Sequence, residues 1–318
     1  MPNKPLPPNS LKSKRLLERR AVTIIAGFRC YDGVVICADT QETVNNLSKR
    51  NVPKLRFEPV DWLERTEAVT RDGLAIAFCG ASETGPFIDK IVERAWEDAQ
   101  TGTSLDEVCS LIETSIKETY KEFGRIYQPG YCPTAELIYG VKMFGGSRLF
   151  SAFDAIVTEQ RTYYSAGIGN YMADFLAGRM YNGYLNIQQC VIRAAYVLFQ
   201  AKEHVEGCGG DSHIAVLQND GASGKVDWTR IEAINKLLQS VDDQAGKLIL
   251  EAANLNRNDS EFKEAVDSIR DGLVDMRDIQ RNELKLTMDI LSMGSLGGKP
   301  KPTDSFGLPI SPDDDSTS

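Results

Sequence analysis

The sequence predicts an α+β fold, arranged as a four-layer αββα sandwich with a helical extension at its C-terminal end. Three observations carry this. Strand-like runs and amphipathic helices come in groups (strands, two helices, strands, two helices, strand), which favours segregated layers over alternating βαβ units. The helices carry apolar stripes, so each needs one sheet face to cover. No internal repeat is short enough for a solenoid. Two antiparallel sheets packed together, with a helix pair on each outer face, bury all of these stripes.

Residues 22–28 and 33–38 are β-rich runs around the turn-forming Tyr31-Asp32-Gly33, the pattern of a hairpin. Strand candidates follow at 54–57 and 74–79, joined by a longer loop around 59–70. The first helix places Phe87, Ile88, Ile91, Val92, Ala95 and Trp96 on one face. The second opens with Ser104-x-x-Glu107, a capping-box pattern, and aligns Leu105, Val108, Ile112 and Ile116. Strands return at 135–141, 148–153 and 161–166, a second helical pair covers 171–180 and 185–204, and a strand at 212–218 closes the unit. Beyond the turn-like Asn219-Asp220-Gly221 the chain reads as helix over 228–255 and 260–293. Phe262, Ile269, Leu273, Met276 and Ile279 form the stripe of the last helix.

This reading divides the chain into a basic leader over 1–21 that the mature protein need not retain, a domain over 22–220, a helical extension over 221–293 and a disordered tail over 294–318. The leader sets Lys4, Lys12, Lys14, Arg15, Arg19 and Arg20 against the single acid Glu18, and it lacks the apolar stretch of a secretory signal. The tail is rich in Gly, Pro and Ser, a composition that cannot bury enough apolar surface to offset its ordering entropy.

Composition excludes several classes. With 36 Lys+Arg against 45 Asp+Glu, a net charge of -9 and a pI near 5.0, a nucleic-acid surface is not expected. No apolar run reaches the roughly 18–20 residues that span a bilayer, so no membrane partner is expected. Seven scattered Cys without a CxxC pair fit a reducing compartment, hence a cytoplasmic chain. Only two His, His204 and His213, argue against a His-based zinc site or triad, and no cofactor or metal is expected.

The segment from Thr23 through Asp39, with a threonine opening the first strand, an Asp32-Gly33 turn and Cys37-Ala38-Asp39 ending the second, resembles the start of mature proteasome β-type subunits and of the bacterial HslV peptidase. Lys54 in Val52-Pro53-Lys54-Leu55 matches the lysine that opens the third strand in that family, one residue early. Phe78-Cys79-Gly80-Ala81-Ser82 matches the Gly-Ser/Ala turn before its first helix. The resemblance covers roughly 22–219 and implies an N-terminal-nucleophile (Ntn) hydrolase fold. It further implies a threonine-type hydrolase cleaving peptide or amide bonds, a peptide or protein substrate, and a homo-oligomeric ring; it allows an ATPase partner without naming one.

By that resemblance Thr23 is the nucleophile, with its own free amine as base, Lys54 and Asp39 tune it, and the Gly80 N–H meets the oxyanion. A free α-amino group titrates near 7.7–8.0, and a neighbouring ammonium pushes it lower. An oxyanion donor is worth roughly 3–4 kcal/mol in other acyl-transfer enzymes. Taken singly, Thr23 is an ordinary β-branched strand residue, Asp39 a turn former, Lys54 a solvated charge and Gly80 a turn glycine. Their order and spacing favour the joint reading.

Three departures from the family pattern stand beside this. Val22 precedes the threonine where self-cleaving members have Gly; translation from a start codon at Val22 followed by methionine removal is one route to a free amine. Ile168, in Ala166-Gly167-Ile168-Gly169-Asn170, replaces a supporting serine. Val205-Glu206-Gly207-Cys208-Gly209-Gly210 replaces an Asp-x-x-Ser-Gly-Gly element, with Glu206 or Asp211 as stand-ins for the aspartate and Cys208 for the serine. A buried, inert thiol is the ordinary reading of Cys208. The rivals to a peptidase are a non-catalytic ring or scaffold subunit, favoured by the leader, and a small-amide hydrolase on the same fold.

Overall fold

Continuous apolar runs such as Gly33-Val-Val-Ile-Cys-Ala38 have no polar face to give to water, so they demand cover on both sides. The computed structural model supplies it. It describes residues 23–44, 48–59, 73–82, 85–126, 134–180, 184–221, 223–256 and 258–293. The expected leader, Val22, most of the loop around 59–70 and the expected tail lie outside them.

The fold is mixed α/β with antiparallel sheets. One five-stranded sheet runs β10 (Tyr163–Ala166), β1 (Ile25–Cys30), β2 (Gly33–Asp39), β11 (Ser212–Gln218), β12 (Gly224–Lys225). The other runs β5 (Leu55–Glu58), β6 (Ala75–Ser82), β7 (Ala135–Met143), β8 (Gly146–Phe153), β9 (Ile156–Gln160). A separate hairpin joins β3 (Gln41–Val44) to β4 (Ser48–Asn51). Six helices lie among the described residues: α1 (Gly85–Ala99), α2 (Leu105–Ile126), α3 (Asn170–Met180), α4 (Ile187–His204), α5 (Trp228–Ala253) and α6 (Asp259–Met293).

Side-chain alternation sorts each strand between two cores. Ile25, Val34, Ile36 and Ala38 of the first sheet meet Phe57, Ala77, Cys79, Ile138 and Leu149 of the second in one cluster. Their neighbours Ile24, Ala26, Phe28, Val35 and Cys37 turn the other way, onto Leu176 of α3, Val191 and Leu198 of α4, and Ile231 and Ile234 of α5. On the far face of the second sheet, Ile76, Phe78, Tyr139 and Phe150 pack under Phe87 and Ile91 of α1 and Ile112 and Ile116 of α2. The sheets approach closely where Gly27 faces the second sheet: a Cβ there would come within 2.7 Å of Leu149 and 2.8 Å of Ile138.

The elements largely follow the periodicity, with three differences. β3–β4, β9 and β12 have no counterpart in the sequence reading, being short and, in β3 and β4, polar. The box expected at Ser104 is displaced by one residue: Ser104 Oγ accepts from Glu107 N at 3.3 Å, but the Glu107 carboxylate accepts from the N–H and hydroxyl of Thr103 at 2.9 and 2.8 Å. Those bonds hold the Glu107 carboxyl below its ordinary range. A reciprocal box forms instead at α4, between Asn186 and Gln189.

Candidate active site

Residues Thr23 and Ile24 precede β1, and the β1–β2 register that pairs Ile25 with Ala38 carries them alongside Asp39. Ile24 and Asp39 close that end of the ladder: Asp39 N donates to Ile24 O, and Ile24 N to Asp39 Oδ1, both at 3.2 Å. Lys54 stands one residue before β5, and Val52 N donates to Thr40 O at 2.7 Å, which ties its approach to the end of β2. The structure thus brings three residues separated by up to 31 positions into one buried corner.

Thr23 Oγ1 donates to Asp39 Oδ1 at 2.6 Å, and Lys54 Nζ donates to the same oxygen at 2.6 Å and to Thr23 Oγ1 at 2.5 Å. Each side of the triangle is therefore a short hydrogen bond. Lys54 Nζ also donates to the Gln41 carbonyl, so a charged ammonium has an acceptor for each of its three protons. Asp39, fully buried, receives Thr23, Ile24 and Lys54 on Oδ1 and the Gly209 N–H on Oδ2 at 3.0 Å. Four donors suit a carboxylate anion, which has acceptor capacity for all of them.

Burial pushes the Lys54 ammonium below its ordinary proton affinity, and the Asp39 charge opposes this without cancelling it. A lysine weakened in this way is closer to neutrality near neutral pH than an exposed one. Its neutral form has a lone pair to offer the Thr23 hydroxyl 2.5 Å away.

Gly80 makes no direct bond to this cluster among those the structure records. The β5–β6 register pairs Leu55 with Cys79, so continuing it by one step sets Gly80 opposite Lys54, just past the last paired residue of β5. A side chain at Gly80 would run into Ile88 of α1 at 2.6 Å and Leu137 at 3.0 Å, so glycine lets the first helix close on the strand at this point.

Sequence reasoning missed several supports. The Thr23 carbonyl accepts from Gly169 N at 3.1 Å, and a Cβ on Gly167 would sit 2.3 Å from that same oxygen. Gly167 also has φ of +85°, so the turn requires glycine there twice over. Its N–H donates to Glu136 Oε2 at 3.0 Å. Ile168, in the place of the expected serine, packs against the apolar cluster of the first sheet. Neither proposed stand-in faces the corner: Glu206 and Asp211 are exposed, and Asp211 contributes its N–H to Thr40 Oγ1 at 2.7 Å. Cys208 is buried, with its thiol pushed up to about 12, first by burial and then by Asp39. It is a protonated core thiol, as its ordinary reading has it.

No described helix is long and apolar enough to cross a membrane. The six described cysteines are free and buried.

The fold is therefore that of two antiparallel sheets with helices packed against them and a threonine–lysine–aspartate corner at the start of the first strand. No protein-family model matches the sequence, and no curated protein does. Solved structures do match. Anbu (ancestral beta-subunit) from Yersinia bercovieri is 13% identical, with a TM-score of 0.55 over 73% of this chain and 98% of its own. A structure from Pseudomonas aeruginosa described as a helical assembly of the Anbu complex is 13% identical, with a TM-score of 0.55 over 71% and 96%. Anbu from Hyphomicrobium sp. strain MC1 is 12% identical, with a TM-score of 0.53 over 71% and 97%.

These comparisons correct the assignment to proteasome β-type subunits and HslV. These three structures are Anbu proteins, a distinct family, and the likeness at this identity is one of fold. The motif from Thr23 to Asp39 describes a first hairpin opened by a threonine, which is too general a feature to separate families sharing a fold.

Proposed function

We propose that this chain is a threonine-type Ntn hydrolase that cleaves peptide or amide bonds, with its layers in the order α, β, β, α. The observation that carries this reading is the buried Thr23–Lys54–Asp39 triangle, with sides of 2.5, 2.6 and 2.6 Å. The three apolar clusters support the layer order.

In the proposed reaction neutral Lys54 Nζ takes the proton of Thr23 Oγ1, and the oxygen attacks the substrate carbonyl. Asp39 stabilises the ammonium that forms. The Gly80 N–H meets the oxyanion. Collapse of the tetrahedral species breaks the C–N bond as the leaving amine takes the proton back, leaving an ester on Thr23. Water then hydrolyses that ester and restores the hydroxyl. A free Thr23 amine, once residues 1–22 are released, adds a second base; Lys54 Nζ already lies 2.5 Å from Oγ1, donating to it as an ammonium, and the Oγ1 proton turns from Asp39 Oδ1 to Nζ once the amine is neutral.

We also propose a homo-oligomeric assembly in a reducing, cytoplasmic setting. Supporting it are the assembly named for the Pseudomonas aeruginosa protein, the exposed Tyr171 and Phe175 on α3, and six unpaired buried cysteines. The second reading, a non-catalytic subunit, is favoured by Ile168 standing where a polar support for the threonine amine is expected.

The test is intact mass and N-terminal sequence of the protein from its native cells, followed by a peptide epoxyketone as a threonine-directed probe. A chain starting at Thr23 that gains one adduct, lost in Thr23→Ala, is expected. A chain retaining its leader and gaining none would leave the non-catalytic reading.

A further inference from the structure

Besides the Ile24 N–H on Asp39 Oδ1, the hydrogen bonds that hold Asp39 and Lys54 from outside the triangle converge on one residue and one loop. Gln41 opens β3; its N–H donates to Gly209 O at 3.0 Å, and its carbonyl accepts from Lys54 Nζ. Gly209 N–H in turn donates to Asp39 Oδ2 at 3.0 Å. The Gln41 side chain is buried and lies directly over Gly209: a Cβ on Gly209 would meet Gln41 Oε1 at 2.5 Å and Cδ at 3.0 Å.

Two further observations single this side chain out. Gln41 Nε2 is buried without a hydrogen-bond partner among the described residues. A buried amide donor left unpaired is unfavourable, so Nε2 does not anchor the side chain, and contact with Gly209 is what fixes its position over the loop. The loop it covers takes a backbone path that favours glycine on both flanks: Gly207 and Gly210 flank Cys208 and Gly209 with φ of 99° and 70°. A glycine-rich segment has many alternatives to the one conformation that aims its N–H at Asp39.

We propose that Gln41 is a positioning residue whose side chain braces the 207–210 loop, keeping the Gly209 N–H on Asp39 Oδ2 and leaving Oδ1 to Thr23, Lys54 and the Ile24 N–H. The inference rests on reading this corner as the reacting site, but it concerns the protonation of Lys54, which is measurable without turnover. Removing the brace lets the loop withdraw. Asp39 then loses one donor and leans harder on Lys54, and water reaches Nζ; both changes raise the proton affinity of Lys54. The titratable groups that act on Lys54 are Asp39 from β2, Glu42 from β3 and Cys208 from the loop, and the substitutions below change none of them.

The experiment follows the Lys54 Cε signal by NMR across pH in the full chain carrying 13C-labelled lysine, assigned by its loss in Lys54→Arg. Gln41→Ala is expected to raise the Lys54 midpoint by about one pH unit or more. Gln41→Met, of similar length and without the amide, is expected to keep the wild-type value. Gly209→Ala, which runs into Gln41, is expected to reproduce the rise, and the double variant Gly209→Ala/Gln41→Ala, which also lacks the brace, to stay raised by no more than the larger single effect, because both changes act through one contact. A folded Gln41→Ala chain with an unmoved Lys54 midpoint overturns the proposal, even if its melting temperature falls, because that is ordinary packing. If Gln41→Ala does not fold, an unmoved midpoint in Gly209→Ala overturns it instead. A shifted midpoint in a chain that never reacts with the epoxyketone would leave the brace standing and remove the hydrolase.

Discussion

The Asp39–Lys54 pair and the Arg270–Asp267 pair have nearly the same length, 2.6 and 2.8 Å, and very different physical weight. In the first, Asp39 is 0% and Lys54 10% exposed; in the second, Arg270 is 63% and Asp267 42% exposed. Water screens the second pair and its long side chains lose entropy in making it, so it contributes little. The first pair has no water to fall back on, and each charge depends on the other and on the fixed donors and acceptors around them. The same contrast separates the whole corner from the C-terminal hairpin of α5 and α6, where Ile269 is the one fully buried residue of α6 among those described. Charge carries energetic weight here where burial concentrates it, and little where it is spread over a solvated helix.

The largest expected effect comes from breaking the buried pair. Lys54→Met leaves Asp39 as an uncompensated buried charge and should cost about 3–5 kcal/mol in urea unfolding, with adduct formation at Thr23 abolished. Its pH dependence has a definite sign. Burial makes the folded chain bind the Lys54 proton less well than the unfolded chain does, with an ordinary lysine near 10.4. The burial penalty on stability is therefore present at low pH and is relieved as pH rises from the lowered folded midpoint toward about 10.4. The proposed hydrolysis needs the neutral amine, so its rate should rise across that same lowered midpoint. A rate that is flat until the ordinary lysine range would remove Lys54 as the base.

How much of this was legible in the sequence follows from the same contrast. The stripes of α1, α2 and α4 were readable because burial on one helix face leaves a period. Thr23, Asp39, Lys54 and Gly80 were singled out as a set by the resemblance; the structure places the first three within hydrogen-bonding distance, while Gly80 makes no recorded bond to them. Gln41 and Gly209 were not readable, because what they contribute is mainly backbone: a carbonyl to Lys54 and an N–H to Asp39, which any residue type carries. The remaining signal was the glycine itself, required by the side chain lying over it. The Ser104 box was misread by one residue because Glu107 reached a threonine hydroxyl as well as an N–H, a better offer than the N-cap amide alone. The family was misread because one hairpin is shared by several families.

Where the hairpin does join the body, burial returns and with it a measurable cost. Leu238 is buried in the cluster of the first sheet, alongside Ile231 and Ile234, and Leu238→Ala should lose about 2–5 kcal/mol of stability by denaturant titration. A smaller effect is expected one turn on, at Asp242, which accepts from Tyr196 Oη at 2.9 Å and from Gln200 Nε2 at 2.5 Å. Burial and Asp242 push the Tyr196 hydroxyl up to about 12, so it stays a donor throughout the working range. Tyr196→Phe should cost about 1 kcal/mol, read as faster amide exchange in α5 beyond Asp242 with the rest of the chain unchanged.

The smallest effect tests the other side of the contrast. Arg270 meets both Asp267 at 2.8 Å and Asp271 at 2.9 Å, more partners than many surface arginines have, and counting bonds would make it important. Its neighbours raise its proton affinity, but an arginine is charged at every working pH, so that shift alters nothing. Both carboxylates are well solvated, so losing the guanidinium strands neither of them. Arg270→Ala should therefore leave the unfolding midpoint unresolved from wild type in urea. A clear loss would mean that this helix face is covered in the working assembly, where the pair would be desolvated as Asp39 and Lys54 are. Repeating the measurement at tenfold lower protein concentration separates the cases, since a covered face gives a midpoint that depends on concentration and a solvated one does not.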